Sequence, residues 1–176
     1  MVDTPDHGYE LIVDGDTSWG AAYRDMVSSV DLRLPYATAQ MYAVGNTTAT
    51  DVALQNTWYK ANVTTSAGLL SAGFTHTSNR LTYATSASSD RRVLVTGTFH
   101  VTSGNNQTVE VGLGLNGADP TSAALTVCRV GTSGEESGSG VGLLDLGDGD
   151  YLEVYVRNRS AAADITLADI SVVVFG

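Results

Sequence analysis

Lysine is almost missing from this chain: Lys60 is the only one, and arginine supplies the other eight basic residues against 19 acids. The net charge is −10, so the basic footprint that neutralises nucleic-acid phosphates is absent and binding to nucleic acid is excluded as a main role. Cysteine is equally scarce. Cys128 stands alone, which rules out an intrachain disulfide and leaves stability to burial or association. No apolar run approaches the roughly 20 residues of a membrane-spanning helix. The opening Met-Val-Asp-Thr-Pro-Asp-His lacks the basic region and apolar core of a secretory signal.

What the chain has is acid, small polar residues and alternation. An acid excess with almost no lysine suits work in high salt, where carboxylates hold water and self-repulsion is screened. An ordinary acidic protein is the other reading of the same charge. Hydrophobic residues make up 43% of the 176, enough for one domain with a single core.

The chain divides near Leu34-Pro35. Residues 1–34 form one unit, in which Asp14–Ser18 offer turn and N-cap residues and Trp19, Ala22, Tyr23, Met26, Val27 and Val30 fall on one helical stripe. The pattern predicts a helix from Ser18 to Arg33, stopped by Pro35. Residues 35–176 read as strand and turn, with turn signals about every ten residues as in a sandwich or barrel. The expected strands are 40–45, 57–64, 73–77, 80–85, 91–103, 107–116, 124–130, 139–146, 150–158 and 164–175. Ser86–Asp90, Ser103–Asn106 and Gly131–Gly138 are expected loops, outward-facing and able to carry any recognition.

The end of the chain is the most regular part. Leu152, Val154 and Val156 alternate with Tyr151, Glu153, Tyr155 and Arg157, so one face of that strand is aliphatic and the other aromatic and charged. In the last strand Val172 and Val174 oppose Val173 and Phe175. A small sandwich has one inner face, so Tyr151, Tyr155, Val173 and Phe175 are candidate self-association residues.

Catalytic and ligand motifs dissolve on inspection. Gly112–Gly117 matches GxGxxG as text, but Ala118-Asp119-Pro120 follows where a helix is needed. His7, His76 and His100 are scattered and have no metal-ligand spacing, and His100 reads as a surface residue. Asp14, Asp16, Asp145, Asp148 and Asp150 could offer oxygens to a cation, yet no twelve-residue calcium loop is present and glycine–aspartate clusters are ordinary turn chemistry. Ser133 lacks the context of a nucleophile, and Asn46, Asn62, Asn106 and Asn158 open glycosylation sequons that read as chance matches in a threonine-rich chain. The expectation is no enzyme, no cofactor and no metal.

Leu146–Val154 together with Ala168–Phe175 resemble the last two strands of the tumour-necrosis-factor and complement-globular-head jelly roll. Residues 40–175, with Gln55–Tyr59, Arg80–Tyr83, Arg91–Thr98 and Ser103–Asn106, also resemble a module of tailed-virus structural proteins. Asp14–Gly20 plus the helix is similar to the piece that attaches viral fibres and spikes to a particle. The fold implied is an antiparallel jelly-roll β-sandwich preceded by a short helix. The function implied is a homotrimer on a virion surface, as a capsid decoration or spike, with Trp19, Tyr23 and Met26 anchoring it to other virion proteins. A short tail fibre or a lectin-like module using Trp58, Tyr59 and Tyr83 on a host glycan or protein is the alternative.

Overall fold

The computed structural model describes residues 38–71, 73–85, 90–120 and 125–176. The expected helix Ser18–Arg33 with Trp19, Tyr23 and Met26, and most of the Ser86–Asp90 loop, lie outside the described residues. Eleven strands are present among the described residues: β1 Thr38–Ala43, β2 Tyr59–Lys60, β3 Ser66–Leu70, β4 Phe74–Thr77, β5 Arg80–Tyr83, β6 Arg91–Thr102, β7 Thr108–Leu115, β8 Leu125–Arg129, β9 Glu135–Leu146, β10 Tyr151–Asn158 and β11 Thr166–Phe175. All pairings are antiparallel. One sheet runs β3-β1-β11-β6-β9 and the other β4-β5-β10-β7-β8, with β2 added to β10. This is the sandwich expected from the strand pattern and the jelly roll that the resemblance implied.

Period-two alternation builds the core. Val93, Val95, Phe99 and Val101 of β6 and Leu167, Ile170, Val172 and Val174 of β11 point inward from the first sheet. They meet Val109, Val111 and Leu113 of β7 and Leu152, Val154 and Val156 of β10 from the second. A bulge between Leu167 and Asp169 lets β11 keep aliphatics inside on both sides of it. Turn residues sit where the backbone needs positive φ: Asn116 (54°) and Gly117 (76°) follow β7, and Gly149 (85°) precedes β10.

Three boundaries differ from expectation. The expected strand 57–64 shrinks to Tyr59–Lys60, because the segment pairs with β10 only at Tyr155 and Val156 before leaving the ladder. Ser66–Leu70, unmarked in the sequence, is an edge strand whose Ser-Ala-Gly start gives no alternation to detect. Glu135–Gly138, expected as loop, extends β9, with Glu135 opposite Thr102 and Glu136 opposite Val101. A long partner strand overrides the weak propensity of those residues.

Candidate functional site

The outer face of the first sheet carries two different surfaces side by side. Strand register places Thr38, Phe175, Leu94 and Leu143 in one cross-strand row, and Gln40, Val173, Thr96 and Val141 in the next. Phe175 is 46% exposed, Leu94 40%, Leu143 59% and Val141 64%. Directly opposed side chains in adjacent strands lie about 5 Å apart, so these residues form one continuous apolar band. The Arg92–Asp145 pair (2.8 Å) closes the band on one side. Exposed apolar groups grouped like this mark an interaction site, unlike single ones scattered over a surface.

The band runs along β9, one of the two edge strands of the first sheet, which lies beside β8 of the second. From Ser137 to Leu144 this strand carries no charge and no proline, and its twelve pairs with β6 run without a bulge. Those are the devices that ordinarily protect an exposed edge.

On the other side of the band the face hollows into an open trough of about 820 Å³ whose wall includes Tyr42, Thr98, Ser139 and Ser171. Its polar end is built by His100. Nδ1 of His100 lies 3.3 Å from Asp169 Oδ2, and Nε2 lies 3.9 Å from Glu135 Oε2. The Gly45 N–H donates to Asp169 Oδ1 (2.9 Å). That N–H first, and His100 second, hold the Asp169 carboxyl below its ordinary range. His100 is therefore half-buried between two acids, and not the plain surface histidine that the sequence suggested, because the bulge in β11 brings Asp169 beside it.

The four candidate association residues divide between the two sheets. Val173 and Phe175 stand together in the apolar band. Tyr151 and Tyr155 lie on the outer face of the opposite sheet, where Tyr155 is covered by its own chain: its hydroxyl donates to the Gly117 carbonyl (3.1 Å) and only 8% of it is exposed. The turn after β7 folds back over the ring, a contact that alternation cannot foretell. Arg80 lies over Tyr151 at 4.3 Å.

The same face holds two buried carboxylates. Glu153 receives Lys60 Nζ and Arg80 Nε, the latter at 2.7 Å. Burial alone would raise its carboxyl, but the two cations outweigh that and keep it below its ordinary value. Glu110 receives Arg157 and Arg159 and is buried as well. Both acids are buried on the outer face because long basic side chains cover them. The clue available in the sequence was the concentration of Arg157 and Arg159 just beyond Glu153.

The aromatic set suggested for a glycan does not converge. Tyr83 is buried against Phe74 with ring centres 5.2 Å apart, the Tyr59 hydroxyl accepts the Leu54 N–H, and Trp58 is stacked under Arg157. The acidic turn is occupied with its own backbone: Asp148 accepts the Thr85 N–H (2.8 Å) and Asp150 the Gly147 N–H (2.7 Å). Asn158 is fully buried, so its sequon is closed in the folded chain.

By sequence the chain matches no family profile and no curated protein. Solved structures match it well in shape. Murine APRIL superposes with a TM-score of 0.54 at 12% identity, covering 79% of this chain and 99% of that one. The fold is a TNF-like jelly roll. Eiger TNF from S. frugiperda (TM-score 0.50, 16% identity) covers 81% of this chain and 94% of its own. The PRD1 vertex protein P5 (0.51, 14%) covers 81% and 96%. TNF-like proteins and a viral vertex protein thus share this jelly roll with the chain.

Proposed function

We propose that this TNF-like jelly roll is a non-enzymatic structural protein displayed on a virion surface as a homotrimeric capsid decoration or spike. The observation that carries the reading is the apolar band of Phe175, Val173, Leu94, Leu143 and Val141 beside the uncharged edge of β9. A monomer would leave that band in water. The jelly roll of a viral vertex protein supports the virion setting, and the resemblance of the sequence to tailed-virus modules points the same way. The threefold state is the one that the tumour-necrosis-factor resemblance implies.

In this reading the association set narrows to Val173 and Phe175, with the three neighbours added by the register. Residues 1–34 join the module to other virion proteins through Trp19, Tyr23 and Met26. The test is direct: Leu143→Glu and Phe175→Glu change exposed positions, so the protomer stays folded by circular dichroism while the trimer is lost. A trimer that survives both substitutions, or a wild-type chain that is monomeric, overturns the assignment. Labelled antibody on purified particles then places the protein on the virion surface or removes it from there.

A further inference from the structure

We propose that His100 makes assembly through this face proton-dependent, tightening it in mildly acidic solution and loosening it as pH rises. The inference rests on the self-association reading above and adds a control to the same surface. His100 stands at the polar end of the trough that adjoins the apolar band, so a second copy seated on the band covers the trough mouth as well.

The charged groups that face His100 can be taken element by element. From β11 comes Asp169 (3.3 Å), and from β9 comes Glu135 (3.9 Å). The Val44–Asn46 segment contributes the Gly45 N–H to Asp169 and no side-chain charge, and β1 presents Tyr42 and Gln40, both uncharged at neutral pH. Glu136 lies one residue away and alternates to the other face of β9. With a neutral imidazole the cluster carries two negative charges, whereas with imidazolium it carries one. Removing two carboxylates from water is costly even with the Gly45 N–H on one of them, and an imidazolium between them offsets part of that cost. Association therefore favours the protonated ring and takes up as much as one proton per protomer.

The sign follows from linkage. A histidine that titrates higher in the assembled state contributes its full stabilisation below the free protomer's value and loses it as pH rises through the assembled value. Asp169, held below its ordinary range by the Gly45 N–H and by His100, supplies no competing step there.

The experiment is light scattering of the full chain over a concentration series at pH 5.5 and pH 8.0 in moderate salt. The expected result is a rise of about tenfold or more in the half-assembly concentration between the two pH values. His100→Gln should flatten that response and leave assembly at its weak, high-pH level. Asp169→Asn keeps an acceptor for Gly45, removes one charge, and should assemble better than wild type at pH 8.0. His76→Gln is the control, since His76 bonds Thr65 (2.8 Å) on the other sheet, and it should respond as wild type does. A trimer equally tight at both pH values, or a wild-type response retained in His100→Gln, overturns the switch and leaves self-association standing. A chain that is monomeric at every pH and concentration overturns both.

Discussion

Glu153 and Glu110 show how much of this protein is decided by single side chains that the sequence presents as ordinary. Each is a buried carboxylate on an outward-facing strand position, and each is held by two cations. Removing both partners of one acid strands a buried charge. Lys60→Ala combined with Arg80→Ala should therefore lower the urea unfolding midpoint markedly. Either single change should cost much less, because the remaining cation still pairs Glu153. The same chemistry sets the acid limb of stability. Glu153, Asp145 and Asp169 all titrate below their ordinary values, so their stabilisation is present above the unfolded carboxylate range and lost as pH falls through the lower folded values. The contribution of these carboxylates should be constant from neutral pH to about pH 5, and unfolding midpoints should drop below about pH 4. Tyr155 was legible as an aromatic on the charged face. Its cover was not, since that depends on where the Gly117 turn folds.

At the scale of elements, the strands with long partners were readable and the short edge strands were not. β6 announces itself through strict alternation because one of its faces is buried, β7 and β10 through alternating aliphatics although both of their faces are covered, and β11 through its apolar end. β3 gives no such signal, and the first residues of β9 are strand only because β6 extends beside them. The glycines of β7 carry information that alternation hides. Gly114 sits opposite Glu153, and a Cβ there would come within 2.5 Å of the Tyr155 ring and closer still to the Ala118 carbonyl. Neither neighbour can yield freely, since one is backbone and the other is packed beneath it. Gly114→Ala should destabilise by about 1–3 kcal/mol, read as a fall in thermal midpoint. Gly131→Ala, with nothing within 4 Å of the added carbon, should change the midpoint little. If both variants behaved alike, the close packing of the turn on Tyr155 would be wrong.

For the whole molecule, fold and candidate face were legible to different degrees. The sandwich could be read from alternation and the spacing of its turns, and the jelly roll from the resemblance. The proposed association face rests on Val173 and Phe175, suggested by a two-sided last strand, and on Leu94, Val141 and Leu143, which stand beside them through a register that no local pattern gives. Charge acts at this scale too. With a net charge of −10, the high-salt reading expects the unfolding midpoint to climb steeply toward molar salt, and an ordinary acidic protein would show only a small change. The anchoring role proposed for residues 1–34 makes a separate demand: a chain beginning at Pro35 should fold and assemble yet fail to join particles. Aggregation of that shortened chain would instead assign the segment to the sandwich.

The central claim is that two copies meet through the band along β9. Its most direct test is the mass of the full chain by light scattering at micromolar concentration and mildly acidic pH, with Leu143→Glu beside it. The account predicts about 55 kDa for the wild type, three times the 18.4 kDa chain, and the single-chain mass for the variant. A wild-type chain that scatters as a monomer, or a variant that keeps the wild-type mass, contradicts it.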